Sequence, residues 1–81
     1  MKILYFAWVR TQIGLGSETI EPQATTVADL LTELSARSDK HAAVLAQTDK
    51  LRVAVDQEFA ELDASIVGAK EVAIFPPMTG G

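Results

Sequence analysis

The residues best placed to do chemistry are the last two, Gly80 and Gly81, which carry the α-carboxylate on backbone without side chains. Without Cβ atoms such a chain can enter a narrow channel at any φ while its carboxyl group meets a second reactant. A carboxylate is inert until activated, for instance as an acyl-adenylate. With sulfur in place of one oxygen it becomes a thiocarboxylate, a soft nucleophile that needs no cysteine. The glycines follow Phe75-Pro76-Pro77-Met78-Thr79. Six residues after Phe75 reach about 20 Å when extended, and the double proline stiffens the first part into a polyproline-like spacer. A frayed terminus is the ordinary fate of terminal glycines, but here they end a stiff arm that follows a strand-like segment.

The other chemistry-bearing residues form no competing constellation. The sequence has no cysteine, so disulfides, thiolate catalysis and Cys-ligated metal are excluded within it. His41 is the single histidine, expected on a helix surface, and no triad or histidine cluster can be built around it. Asp56 and Glu58 could be paired carboxylates for acid–base work, yet their place in a turn favours hairpin chemistry and solvation. Asp39, Glu61 and Asp63 are scattered and suggest no metal site. Gly14 and Gly16 make no phosphate loop, because no Lys-Ser/Thr pair follows in register. Arg10 is placed beside an apolar face, either to pair with a partner acid or as a solvated strand end.

The elements that must position the tail are legible in outline. Residues 2–9 are β-branched, aromatic and apolar and predict a strand. Gly14 and Gly16 mark a turn, and residues 17–21 a returning strand, so the start reads as a hairpin with a long loop. Thr26 with Asp29 resembles a capping box. Val27, Leu30, Leu31 and Leu34 then fall at i, i+3, i+4 and i+7, the apolar stripe of a three-turn helix. Ser38-Asp39 ends this helix or opens a second short one through Ala42, Val44 and Leu45. Residues 51–55 alternate as a strand, residues 56–58 are a turn, and residues 59–62 a short return. Gly68 precedes a last strand over residues 71–75, which Pro76 ends because proline donates nothing to the ladder. The order β-β-α-β-β(-β) with one main helix is α+β, the β-grasp order, a mixed sheet of four to five strands. The domain is expected over residues 1–75, with a flexible tail over residues 76–81.

One consequence of this reading is an apolar surface left over. Alternation places Ile3, Tyr5, Ala7 and Val9 on one side of the first strand, and Leu4, Phe6 and Trp8 on the other. A helix covering Ile3, Tyr5, Val53, Val55, Val72 and Ile74 leaves Phe6, Trp8 and Phe75 toward water. Aromatics side by side would form a patch of a few hundred Å². Burying about 400 Å² of it is worth on the order of 10 kcal/mol before association costs, so a protein partner is expected on the open sheet face. The alternative is that a loop, around Phe59 or over residues 11–15, folds across these residues.

Size and charge set the outer bounds. The 81 residues hold one compact core, and the apolar fraction of 48 % is that of a globular chain. Seven Lys and Arg against eleven Asp and Glu give a net charge of -4. This balance speaks against nucleic acid and against anionic membranes as partners and suits a basic protein surface. No apolar run approaches the roughly 18 residues of a membrane span. The start lacks a signal-peptide cleavage site, so a cytoplasmic location is expected.

With these features in hand the chain resembles the sulfur-carrier subunits of molybdopterin synthases, within the ubiquitin-like β-grasp sulfur carriers. The resemblance rests on Ile3-Leu4-Tyr5-Phe6-Ala7 with Val9-Arg10, the helix after Thr26-Val27, the Val53-Ala54-Val55-Asp56 turn, and the ending from Glu71-Val72-Ala73-Ile74-Phe75-Pro76-Pro77 to Gly81. Two departures lie in turns: the family often has Asn at Asp56, and often Gly-Asp-Glu-Val where Gly68-Ala69-Lys70-Glu71-Val72 stands. The resemblance implies that a partner similar to ubiquitin-activating enzymes adenylates Gly81 with ATP, and that a persulfide donor replaces AMP to leave a thiocarboxylate. It also implies that the tail, with Gly80, enters the large subunit of a heterotetrameric synthase and gives sulfur to a pterin precursor. This chain would bind no cofactor and would be a sulfur donor rather than the catalytic subunit. Phe6 and Phe75 fall at interface positions of the family, Phe59 also. With Trp8, Arg10, Pro76, Pro77, Met78 and Thr79 they make up the expected partner interface. A carrier for thiamine synthesis or tRNA thiolation, a protein modifier and an inert interaction module are the competing readings.

Overall fold

The computed structural model describes residues 1–77. Its elements are β1 (Lys2–Tyr5), α1 (Ala7–Ile13), β2 (Ser17–Thr19), α2 (Val27–Ser35), α3 (Asp39–Leu45), a 3-10 turn (Thr48–Lys50), β3 (Arg52–Val55), β4 (Glu58–Ala60) and β5 (Glu71–Phe75). The five strands form one mixed sheet in the order β2-β1-β5-β3-β4. β5 lies at its centre, parallel to β1 and antiparallel to β3. The helices cover one face, and the core fills the space between.

Alternation in the central strands matches the burial. Ile3, Tyr5, Val53, Val72 and Ile74 are buried toward the helices, whereas Leu4, Ala54, Ala73 and Phe75 are half-buried on the other face. α2 presents the expected stripe, burying Val27, Leu30, Leu31 and Leu34, and Thr26 Oγ1 accepts the Asp29 N–H at 3.2 Å. The second short helix forms as α3, capped by Ser38, whose Oγ accepts the His41 N–H at 3.1 Å. The segment between β4 and β5 closes the start of α2. Carbonyls of Leu62 and Ala64 accept the N–H groups of Ala28 and Val27 at 2.8 and 3.0 Å, which have no acceptor inside the helix.

The strand expected over residues 2–9 stops at Tyr5. Phe6 N–H still reaches the Ile74 carbonyl at 3.2 Å, but Ala7 turns to φ 53° and the chain enters α1. This helix buries Val9 and Ile13 at i, i+4 and closes on Gly14, whose φ of 89° lets its N–H donate to the Arg10 carbonyl. Four apolar residues cannot show whether a period of 2 or 3.6 holds, and the deciding signal was the Val9/Ile13 spacing with glycine just beyond. The face assigned to Ala7, Trp8 and Val9 by alternation is therefore corrected. Val9 is buried through α1, and Trp8 is half-buried against the core, not in line with Leu4 on the open face.

Candidate functional site

The base of the tail is fixed from both sides. Tyr5 pairs with Ile74 in β1, while Arg52 and Val53 pair with Phe75 and Ile74 in β3. A chain leaving the middle of a sheet departs from the most constrained position the fold offers. Pro76 and Pro77 follow and are half-buried. Met78, Thr79, Gly80 and Gly81, which carry the expected chemistry, lie outside the described residues.

Around this root the structure gathers most of the expected interface. Cross-strand partners point to the same face, so the pairs Leu4–Ala73, Ala73–Ala54 and Ala54–Phe59 define a shallow floor of small side chains. Phe59 and Phe75 rise beside it with ring centroids 5.9 Å apart at 50°, a favourable aromatic geometry. Phe59 is 83 % exposed and Phe6 46 %. Phe6 follows Tyr5 as Phe75 follows Ile74 in a parallel register, so it joins the same side. A groove lined by Arg52, Phe59, Leu62, Phe75 and Pro77 runs along the root. A second, formed by Trp8, Gln12, Gln47, Lys50, Pro76 and Pro77, flanks its other side. The open aromatic surface exists, built with Phe59 as its most exposed member; the loops around Phe59 and over residues 11–15 leave Phe59, Phe6 and Leu15 exposed.

Two expected members sit apart from it. Trp8 reaches the tail through Pro76 and Pro77 rather than through the sheet face. Arg10 is exposed on α1, and its guanidinium lies 3.2 Å from where a Cβ on Gly16 would stand, at the β1–β2 side of the sheet. Phe59 is on β4 at the opposite edge.

His41 is not the surface residue expected. It is 5 % exposed, in a polar cluster behind β1. Glu18 Oε2 accepts the Tyr5 O–H at 2.6 Å and pairs with His41 Nε2 at 2.7 Å, while its Oε1 meets Arg37 Nε at 2.7 Å. A carboxylate only accepts, so Nε2 carries the proton, and in the neutral ring Nδ1 accepts from the Ser38 hydroxyl at 2.7 Å. Burial pushes Glu18 up, but the hydrogen bonds from Tyr5 and His41 and the Arg37 charge outweigh it, and the carboxyl ends below its ordinary range. Burial, then the bond to Glu18, raises Tyr5 beyond the ordinary tyrosine range. The sequence hides this cluster because its members are distant in the chain. The one signal that could have found it is Glu18, which the register opposite Ile3 turns toward the helices.

Asp56 and Glu58 do not converge on a common point: Asp56 is the first residue of the two-residue β3–β4 turn, and Glu58 follows it as the first residue of β4. Asp56 Oδ1 accepts the N–H groups of Lys70 and Glu71, each at 3.0 Å. Among the described residues no group of three or more His, Asp or Glu is placed to hold a metal ion, and no helix is long and apolar enough to cross a membrane.

A mixed sheet in this strand order, backed by helices on one face, defines a ubiquitin-like β-grasp protein. Solved structures agree. SAMP1 from Haloferax volcanii superposes with a TM-score of 0.74 at 24 % identity, covering 99 % of this chain and 97 % of that one, a likeness of fold. The putative molybdopterin converting factor, subunit 1, from Pyrococcus furiosus gives a TM-score of 0.72 at 28 % identity, with 95 % of each chain covered. The chain belongs to the ThiS family, whose model matches residues 3–81. It is 37 % identical over 81 residues to the molybdopterin synthase sulfur carrier subunit of Escherichia coli, covering 100 % of this chain and 99 % of that protein. The protein of the same name from Haemophilus influenzae is 33 % identical with the same coverage. That from Mycosarcoma maydis is 38 % identical over 88 residues, covering 92 % of its length.

Proposed function

We propose that this chain is the sulfur-carrier subunit of a molybdopterin synthase, with the Gly81 carboxylate as its working group. The observation that carries the reading is the root of the tail. The strand leading to Gly80 and Gly81 is clamped at the centre of the sheet, beside an exposed aromatic surface. Relatives bearing that name align over the whole of this chain, residues 80 and 81 included. On this reading a ubiquitin-activating-like partner joins the Gly81 carboxylate to the α-phosphorus of ATP and releases pyrophosphate. The terminal sulfur of a persulfide donor then attacks the acyl carbon and expels AMP. A thiol, as the two-electron reductant, cleaves the S–S bond of the acyl disulfide so formed, leaving the thiocarboxylate and a disulfide. The resulting thiocarboxylate enters the large subunit and passes its sulfur to a pterin precursor.

The chain's own residues position that group. Phe6, Phe59 and Phe75 dock the large subunit and the adenylating partner in turn. Trp8, Pro76 and Pro77 set the direction in which Met78, Thr79 and the glycines leave, and Arg10 supplies a charge at the rim. Two carriers with two large subunits make the heterotetramer, in the cytoplasm. ATP is the partner's substrate, and this chain needs no cofactor of its own.

The test is complementation. A bacterial strain lacking its own carrier subunit should regain molybdoenzyme activity when it expresses this chain, and should not when Gly80 and Gly81 are deleted. Rescue of a thiamine or tRNA-thiolation defect instead would reassign the pathway while keeping the carrier chemistry.

A further inference from the structure

We propose that the outer edge of β4 is a strand-addition site that takes an extended, Lys/Arg-bearing segment of a partner protein. This edge shares Phe59 with the aromatic sheet face but is read through the β4 backbone and the acidic groove beside it, and the inference does not depend on the sulfur-carrier reading.

The hairpin geometry settles where the β4 backbone points. Asp56 and Gln57 both have positive φ, 49° and 72°, so β3 and β4 are joined by a two-residue turn of the primed type. Such a turn makes its flanking pair, Val55 and Glu58, hydrogen-bonded, and the next pair, Ala54 and Phe59, non-hydrogen-bonded. The alternation is confirmed on the other side of β3. There Asp56, two residues from Ala54, sends its N–H to the Glu71 carbonyl of β5 at 2.9 Å. Ala54 therefore faces β5, and the N–H and C=O of Phe59 face outward from the sheet. Since β4 is an edge strand, they meet no other strand. Unpaired edge groups of this kind are a template for a further strand.

What adjoins the edge selects the occupant. An open groove of about 490 Å³ runs beside β4 toward the segment before β5. Asp56, Glu58, Glu61 and Asp63 line it, and no Lys or Arg does. Val67, 74 % exposed, and Phe59 supply its apolar contacts. A second copy of this chain placed edge to edge would bring like carboxylates together, which disfavours self-pairing. A strand with alternating basic and β-branched residues meets every feature at once. Its backbone pairs with Phe59, its basic side chains meet Glu58, Glu61 and Asp63, and its apolar ones cover Val67.

The probe is a capped peptide, acetyl-Thr-Arg-Val-Arg-Val-Arg-Thr-amide, titrated to millimolar concentration into the full ¹⁵N-labelled chain. A control peptide has Glu for each Arg. The Phe59 amide should exchange rapidly in the free chain and slow by tenfold or more with the basic peptide, with the largest shifts over residues 58–67. The effect should weaken at least tenfold in high salt and in the Glu58→Lys/Glu61→Lys variant, whose spectrum reports that it remains folded. The acidic peptide should be silent. Unchanged exchange at Phe59, equal binding of both peptides, or shifts centred on Leu4 and Ala73 would each overturn the proposal.

Discussion

Asp56 and Glu71 exchange two hydrogen bonds: the Asp56 N–H donates to the Glu71 carbonyl at 2.9 Å, and the Glu71 N–H donates to Asp56 Oδ1 at 3.0 Å. The same Oδ1 accepts the Lys70 N–H at 3.0 Å. One side chain thus ties the β3–β4 turn to the first residue of the strand that carries the tail. Asn keeps the accepting oxygen and tolerates φ near 49°. Asp56→Ala should cost about 2 kcal/mol, from two backbone donors left to water and the loss of the polar side chain that lets Asp tolerate the left-handed region. Asp56→Asn should stay within about 0.5 kcal/mol. Urea unfolding of the two variants checks the difference.

Ala7 carries the turn from β1 into α1 at φ 53°, where a side chain is strained. Glycine removes the clash at the edge of a helix, where its entropy cost is least. Ala7→Gly should therefore stabilise the fold by up to about 1 kcal/mol, and Ala7→Val should destabilise it by at least about 1 kcal/mol. For a domain of this size 1 kcal/mol appears as a shift in Tm of roughly 4–8 °C.

The Glu18 cluster makes stability depend on pH. Its folded carboxyl titrates below the ordinary value of 4.5, so its contribution is complete above that value and is lost as pH falls through the lower folded one. Tyr5 acts at the other end: its proton is held more tightly in the fold than in the unfolded chain, where it leaves near 10.0, so stability falls as pH rises past that value. Glu18→Gln should flatten the acid limb and lower the plateau at neutral pH, because it leaves Arg37 and His41 without their anion. Chemical unfolding from pH 3 to 8 reads both effects.

Phe59 and Ile74 should separate binding from folding. Phe59 is 83 % exposed, so Phe59→Ala should change stability by under about 0.5 kcal/mol yet weaken a docking partner by about tenfold or more. Ile74 is fully buried, and Ile74→Val should cost about 1 kcal/mol with little effect on the partner. Calorimetric titration with the large subunit, beside unfolding curves, distinguishes the two.

Much of this was readable from residue types. The stripe Val27, Leu30, Leu31 and Leu34 fixed α2, and Val72 and Ile74 against Ala73 and Phe75 fixed the two faces of β5. Residues 7–13 misled because an apolar run without polar interruptions fits strand and buried helix alike, and only the path of Ile74 decides where β1 must end. His41 misled because its partners, Glu18 and Tyr5, are 23 and 36 residues away, and their meeting is a product of the sheet register. The sequence predicts a short return strand that begins at Phe59, and pairing with Ala54 sets this residue beside Phe75, a neighbour the chain order does not reveal.

The most direct test follows the carboxylate itself. The chain is incubated with ATP, an adenylating partner and a sulfur source, then treated with a thiol alkylator and weighed intact. Because it contains no cysteine, the alkylator finds only a thiocarboxylate, which separates sulfur transfer from methionine oxidation of nearly the same mass. The account predicts one adduct, mapped to Gly81 and absent without ATP. An unmodified chain, beside a known carrier converted by the same enzymes, would contradict it.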